Sequence, residues 1–475
     1  MPVEPIPLTF GANKFEEDVG LSTTGSKLVN YYVTSTGALA RAKGLTELCN
    51  FGVSYKIDGL FWWDRQQIAI AQTGGRHFKI TNANGAYTEI TGSAAQIGNK
   101  VYYSDFGTSL YTANRGKIIK IPSSGAAAYL TDGDAPTDVS QIASLNKRLI
   151  ALPHNSETIE YSDSLAPDDW SGGFVTPTNR PDLTKAIGVA NDIIEAWGTE
   201  SLQGYRDDGS TPIINETQYT AQRGIGAPHS HIYIENTWYW IDHEKKVVRL
   251  NGRIPEIISL TLNKYLQSFT SVSDAIGSQT SFDGRPIYLL SFPSDGKTIA
   301  VDIYGGGWFE LANWSIAQAD YERWHGDAAC FATKWGLHLI GDNTTGKVYK
   351  IDQSSYQTDG NILRSLVRTP VISHGNAGVW KQVRRLIFHL QKSDEVQRAD
   401  DVTLRVKWSD DGGTTWSNER TINFGETGQR TFQKELRSCG RYKTRQYEIV
   451  QDDQSPVVIE QILEDYSLHG PRYRQ

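Results

Sequence analysis

The sequence predicts an all-β fold, a six- or seven-bladed β-propeller followed by a C-terminal β-sandwich. Three observations carry that expectation. The 475 residues include 44 glycines, 23 tyrosines and 13 tryptophans, a composition suited to many tight turns, where glycine supplies positive φ, and to half-buried pleated surfaces on which aromatic rings pack. Short apolar runs recur at a regular interval through most of the chain, and the interval stops near Asp352. The stretch from Ala186 to Ile258, ending in WYWIDHEKKVVRLNGRIPEII, shows the pattern most plainly, with strand after strand divided by Gly, Asn and Asp turns.

The interval is the main evidence for a propeller. One apolar strand centre from each cluster gives Phe61, Val101, Leu149, Ile194, Tyr239, Tyr288 and Leu337, spaced 40, 48, 45, 45, 49 and 49 residues apart. A second apolar run follows many of these, as in RQQIAIAQ after Trp63 and GKVYKID after Leu339. A period of about 40–50 residues holding three or four short strands marks a blade, whose sheet cannot bury its faces alone and packs radially against its neighbours. The expected organisation is an N-terminal arm over residues 1–45, the propeller over 46–355 and the sandwich over 363–475.

The arm falls outside the repeat and contains TTGSKLVNYYV followed by ARAKGL. It is expected to help close the ring, whose strand edges would otherwise stay unpaired, or to reach a neighbour. Within the propeller, SLTLNKYLQSF, Ser259 to Phe269, is the single helical candidate, because its apolar residues recur at helical spacing. Beyond Leu363 the runs lengthen into VRRLIFHLQ, DVTLRVKWS, ERTINFG and TRQYEIVQ, separated by polar turns, which fits a sandwich.

Composition narrows the function classes. MPVEPIPLTF lacks a basic start and an apolar core, and no apolar run approaches the ~20 residues that span a bilayer, so neither a Sec-type signal nor membrane insertion is expected. Cys49, Cys330 and Cys439 lie far apart and form no CxxC, which indicates neither a disulfide framework nor zinc. The formal charge of −7 divides unevenly, with about +3 on residues 363–475 and −10 on residues 1–362. That asymmetry suits two surfaces for different partners and falls short of the basic stripe of a tight nucleic-acid binder.

Motifs that could carry chemistry have simpler structural readings. SDDGGTTW, Ser409 to Trp416, matches the Asp-box pattern of sialidases; physically it is a hairpin turn in which Asp411 accepts backbone N–H bonds, Gly412 and Gly413 supply the turn, and Trp416 packs over it. It occurs once, outside the repeat, so a carbohydrate-active propeller, hydrolase or glycan binder, stays the alternative function. His229 and His231 in GAPHSHIY, at i and i+2, are expected on one face of a strand and could ligate a metal, but no third ligand lies near them. GGGW, Gly305 to Trp308, reads as a blade turn because no helix follows it. WKQVRRLIF and RSCGRYKTRQY interleave basic with aromatic residues; nucleic-acid binding would need them on one face, and paired charges on sandwich strands are the simpler reading. No catalytic, cofactor or metal residue is assigned.

Four stretches together resemble a family, the tail hub of short-tailed phages, also called the tail accessory factor or packaged-DNA stabilisation protein. They are LVNYYVTSTGALARAKGL, YSDSLAPDDW (Tyr161 to Trp170), IGVANDIIEAWGTESLQGYR (Ile187 to Arg206) and RGIGAPHSHIYIENTWYWIDHEKKVVRLNGRIPEIIS (Arg223 to Ser259). The chain departs from the family at Arg41 to Lys43, where a Pro-rich step often stands. The resemblance implies a non-enzymatic virion component without cofactor. It would form a ring, expected to be a hexamer, below the portal and adaptor, extending the DNA channel and retaining the packaged genome. The implied partners are the portal and adaptor ring, a tail needle or plug, and tailspikes or fibres, with DNA passing through unread. The implied location is the virion tail, after assembly in the host bacterial cytoplasm. An acidic propeller agrees with a channel that passes phosphate without gripping it.

Overall fold

Among the described residues seven blades of four antiparallel strands succeed one another, five as separate sheets and the last two as parts of larger sheets. In the computed structural model, which describes residues 3–8, 26–177, 180, 182–207, 214–392, 403–423 and 431–469, blades 1 to 6 cover residues 57–90, 102–129, 139–175, 186–221, 232–257 and 276–315. Blade 7 takes three strands from residues 326–352 and its fourth, Gly44–Asn50, from the start of the chain. Each of the seven apolar markers falls in or immediately beside a strand of a different blade. The period seen in the sequence is therefore the blade, and the described residues build seven of them.

Local chemistry sets the hairpins. The first two strands of blades 4, 5 and 6 are joined by two-residue turns with both φ positive, at Asn191-Asp192, Glu235-Asn236 and Asp283-Gly284. These mirror-image turns match the right-handed twist of the strands they join. The expected helix is present as a 3-10 turn, Leu260–Leu262, and a short α-helix, Asn263–Gln267, in the link between blades 5 and 6, burying Leu262 and Leu266. Gly305 to Trp308 is the turn into the outer strand of blade 6, with Gly306 at φ 66.

First strands of neighbouring blades lie against one another around most of the ring. Between blades 4 and 5 the contact is aromatic, with Trp197 edge-on to Trp238 at 5.2 Å and to Trp240 at 5.8 Å. The aromatic residues of Ala186 to Ile258 thus pack blade on blade. Closure depends on Gly44–Asn50, which pairs antiparallel with Lys347–Asp352, while Gly326–Ala332 of the same blade lies against Ile57–Trp63 of blade 1. No helix among the described residues is long and apolar enough to cross a membrane.

The C-terminal region is a two-sheet sandwich. One sheet is built on Trp380–Lys392 and Val457–His469, flanked by Thr431–Arg437 and by the N-terminal strands Tyr31–Val33 and Leu39–Arg41. The other contains Ser365–Arg368, Gln446–Gln451, Thr403–Ser409 and Arg420–Asn423, and it runs on without interruption into blade 6. Lys27–Val29 makes that join, antiparallel to Ser365–Arg368 on one side and parallel to Trp308–Ser315 on the other. Phe388, Leu390, Leu404, Val406 and Ile449 of the sandwich share one buried cluster with Phe309 and Leu311 of blade 6 and Ile340 and Tyr349 of blade 7. Apolar burial on this scale, worth ~25 cal/mol per Å² removed from water, binds the ring and the sandwich into a common core.

Two buried polar side chains of the N-terminal segment complete the join. Asn30, wholly buried and at φ 55, donates from Nδ2 to the carbonyls of Ala312 and Arg364, each at 2.8 Å, and accepts from Ala312 N at 3.0 Å. Asn tolerates the left-handed region better than most residues. Arg41 stands where the chain leaves the sandwich for blade 7. It donates to the carbonyls of Asp453 (2.7 Å), Ser455 (2.9 Å) and Leu363 (2.6 Å) and to Ser365 Oγ (3.1 Å), and its guanidinium lies 4.9 Å from the Tyr356 ring. Residues 9–25 of the expected arm lie outside the described residues.

The first described strand, Val3–Pro5, adds to Val457–His469. It is held by His374, whose Nδ1 meets Glu4 Oε2 at 2.7 Å and whose Nε2 meets Glu464 Oε2 at 3.2 Å, with the imidazole stacked on Tyr466. Burial disfavours the imidazolium, but the hydrogen bonds and charges of Glu464 and Glu4 outweigh it and raise the pKa above its ordinary value.

Two outcomes follow from these contacts. Asn30→Ala leaves buried backbone groups of Ala312 and Arg364 without partners and should cost about 3 kcal/mol in denaturant unfolding, at about 1–3 kcal/mol per unsatisfied group. Because the folded pKa of His374 is raised, its contribution is complete below roughly pH 6.5, the ordinary histidine value, and is lost as pH rises through the folded pKa. Wild type should lose stability relative to His374→Gln over that rise, and a constant difference between the two would contradict the clamp.

Candidate functional site

The axis of the ring, where propellers commonly hold ligands or leave a bore, is crossed by side chains. Lys100, two residues before Tyr102–Phe106, the first strand of blade 2, spans the centre. Its Nζ donates to the carbonyls of His229 and Gly277, each at 3.1 Å, at the entries to blades 5 and 6. From the same blade, Tyr102 Oη lies 2.9 Å from His229 Nδ1. Gln141 of blade 3 donates from Nε2 to Tyr102 Oη (3.1 Å) and to the Pro228 carbonyl (3.0 Å), and its Oε1 accepts from Ile187 N of blade 4 (2.7 Å). Groups from blades 2 and 3 therefore meet the segment entering blade 5 at hydrogen-bond distance, and Gln141 ties blade 4 to them. At that level the centre has no bore for a duplex.

This geometry corrects the expected placement of His229 and His231. The strand begins only at Ile232, and Pro228 to His231 is irregular backbone laid across the axis. His229 makes one isolated bridge to Ile276, while His231 Nδ1 donates to the Pro228 carbonyl at 3.0 Å and its ring stacks on Tyr102. Burial, with the nearby charge of Lys100, depresses both imidazoles to about 3, so both are neutral. Burial also lowers Lys100 to about 8, against the attraction of Asp327. Among the described residues no group of three or more His, Cys, Asp or Glu side chains could hold a metal ion.

Beside the crossing lies a cavity of about 180 Å³ lined by Lys56, Asp58, Lys100, His231, Ser278 and Asp327 among others. Asp58 accepts from Gly98 N at 3.1 Å, and burial raises its carboxyl to about 6. Arg323 engages both oxygens of Asp327 at 2.7 and 3.0 Å. These mixed charges are suited to ordered water and to holding blades together.

The other motifs resolve into structure. Asp411 accepts from Ser409 Oγ (2.7 Å) and from the amides of Thr414 and Thr415 (3.0 and 2.9 Å), with Gly412 and Gly413 at φ 71 and 91. These bonds, the Thr415 hydroxyl first, lower its carboxyl to about 2. Trp416 caps the turn between the cations of Arg368 and Lys407. In the basic-aromatic stretches, Arg385 bonds Glu435 at 2.6 Å, Arg384 bonds Asp465 at 2.6 Å, and Arg445 bonds Asp410 at 2.6 Å. Burial pushes the thiols of Cys49 and Cys439 up to about 12 and 11, so neither is a ready nucleophile.

Comparison with known proteins adds identity to this geometry. The model of the family described as bacteriophage P22 Gp10, β-propeller, matches residues 7–356. The chain belongs to this family. The P22 Gp10 match spans all seven blades and the N-terminal segment that closes them, ends before the C-terminal strands of the sandwich, and makes the chain a bacteriophage structural protein. No curated protein matches. Similar solved structures include the N-terminal domain of Nup159 (10% identity, 65% of this chain and 94% of that chain, TM-score 0.41), the WD40 propeller of Doa1 (9%, 65% and 97%, 0.41) and YCF48 from Cyanidioschyzon merolae (8%, 65% and 98%, 0.41).

Lys100, Tyr102 and Gln141 were not legible as a site, since each sits in an ordinary strand-like run and converges with the others only when the ring closes. Replacing Lys100 tests the crossing. Its folded pKa lies below that of the unfolded chain, so wild type should gain stability relative to Lys100→Met as pH rises from about 8 toward roughly 10.4. A pH-independent difference in unfolding free energy between the two would contradict a buried ammonium.

Proposed function

We propose that the chain is a non-enzymatic component of the tail of a short-tailed phage. Copies assemble into a ring, expected to be a hexamer, below the portal and adaptor, extend the DNA channel and retain the packaged genome. The observation that carries this reading is membership of the P22 Gp10 family over residues 7–356. The crossed axis supports a specific form of it. With Lys100, Tyr102 and Gln141 bonded across the propeller centre, genomic DNA passes between copies, and each propeller is a wall block of the channel.

Charge agrees with that role. Residues 1–362 carry a formal −10, and a wall of that sign repels phosphate, so the duplex slides without the counterion-releasing contacts that make binding tight. The lower end of the ring would meet a needle or plug and its flank tailspikes or fibres. Assembly would take place in the host bacterial cytoplasm and the finished protein would reside in the virion tail.

Electron microscopy of the assembled particle tests the proposal. A ring of copies directly below the portal and adaptor, with each propeller axis away from the channel axis, is expected. Density for this chain only at fibre tips, or DNA running through individual propellers, would overturn it.

A further inference from the structure

Formal charge on this chain is segregated onto two opposite ends. Residues 130–207, which hold blade 3 and most of blade 4, contain 13 Asp and Glu against 5 Lys and Arg, so they account for −8 of the −10 on residues 1–362. The outer end of blade 3 gathers much of this. The loop 163–170 is closed by Asp163 N donating to the Asp169 carbonyl, and Trp170 N donates to Asp132 Oδ2, which sets the 132–134 loop against it. Asp132, Asp134, Asp163, Asp168 and Asp169 thereby share one region, in which Lys120 pairs with Asp168. At its tip Leu165 is 69% exposed, and Phe174, on the adjoining outer strand, is 60% exposed. Large apolar side chains held in water beside carboxylates mark a contact surface more than a solvated face.

The sandwich carries the complement. Among the described residues Thr431–Arg437 and Arg441–Tyr442 form the outer edge of the sheet built on Trp380–Lys392. Along it Arg385 and Arg437 pair with Glu435, Arg441 bonds Gln382 and Lys443 lies over the Trp380 ring, while Arg384 and Arg385 bond Asp465 on the strand behind. Arg437 is the most open, its side chain 75% exposed, and Trp380, 47% exposed, lies under Lys443 with its ring 5.4 Å from Nζ. Arginine and an exposed tryptophan on one edge are the residue types that anchor protein contacts.

These two surfaces cannot meet within one copy. The sandwich shares its core with blades 6 and 7, and in a seven-blade ring blade 3 stands three blades from each, on the far side. We infer that the acidic, leucine-tipped end of blade 3 in one copy docks on the basic, tryptophan-bearing sandwich edge of the next. Such a contact is heterologous, so it generates a closed ring or a filament and never a symmetric dimer. Opposite charges across it favour encounter and fix which faces meet. The inference rests on the ring reading above and names the faces that build the ring.

Charge exchange tests it on the full-length chain. One variant carries Asp163→Lys and Asp169→Lys, the other Arg437→Glu and Arg441→Glu; Asp169, Arg437 and Arg441 are exposed and Asp163 is half-buried, with its carboxylate accepting from Ser171 Oγ, and circular dichroism checks that both variants fold. Wild type should assemble at low salt in sedimentation velocity, with association weakening as salt screens the charges. Each variant alone should lose at least tenfold in association. An equimolar mixture should recover assembly, because every reversed face then meets a reversed partner. Assembly unchanged in either variant, or lost in both without recovery on mixing, overturns this contact and leaves the virion reading standing. A wild-type chain that remains monomeric at low salt also overturns it, while the particle image judges the virion reading separately.

Discussion

The structure depends on one short segment, residues 27–50, being stitched into both halves of the molecule. Lys27–Val29 joins a propeller blade to a sandwich sheet, Tyr31–Val33 and Leu39–Arg41 enter the other sandwich sheet, and Gly44–Asn50 closes the ring. A segment that changes sheets twice in so few residues exposes backbone groups at each crossing. Asn30 and Arg41 satisfy them with seven hydrogen bonds between them. Buried without those bonds, the same carbonyls and amides would each cost about as much as a typical single mutation, ~1–3 kcal/mol. Lys43, which bonds Asp283 at 3.2 Å and lies over the Tyr356 ring, extends the stitch toward blade 6. Arg41 to Lys43 carry the chain across this junction.

Rigidity at the junction has a consequence for function. A propeller whose ring were closed only by its own blades could rotate against an appended sandwich, and a wall of such blocks would change shape under load. Here one buried cluster runs from blade 7 through blade 6 into both sandwich sheets. The axis is tied as well, by Lys100, Tyr102 and Gln141 reaching across to the entry of blade 5. Burying an ammonium in this way is expensive, as its lowered pKa records, and it is tolerated because backbone carbonyls from two blades receive it. The outcome is a block whose centre is crossed by its own side chains.

The blade repeat was legible in the sequence, to six or seven blades, because each blade repeats the same local problem. Phe61, Leu149, Tyr288 and their counterparts sit in strands that must alternate, turn and bury one face, and turn pairs such as Asp283-Gly284 leave a mark in the sequence. The Asp-box turn was readable for the same reason, since all its bonds span four residues or fewer. What escaped notice was long-range. Gly44–Asn50 pairs with residues some 300 positions away, Asn30 finds Ala312, and nothing local in LVNYYV announces those partners. His229 and His231 were expected on a strand face because alternation alone was considered, whereas Pro228 holds their segment irregular across the axis, where the two rings meet Tyr102.

The central claim is that ring and sandwich form one cooperative body locked by residues 27–50. Hydrogen exchange followed by mass spectrometry in rising denaturant tests it most directly, because it reads the opening of each strand separately. The account predicts that Gly326–Ala332 of blade 7 and Trp380–Lys392 of the sandwich lose protection in the same step. Loss of protection in the sandwich strand while blade 7 stays protected, in two separate transitions, would contradict it.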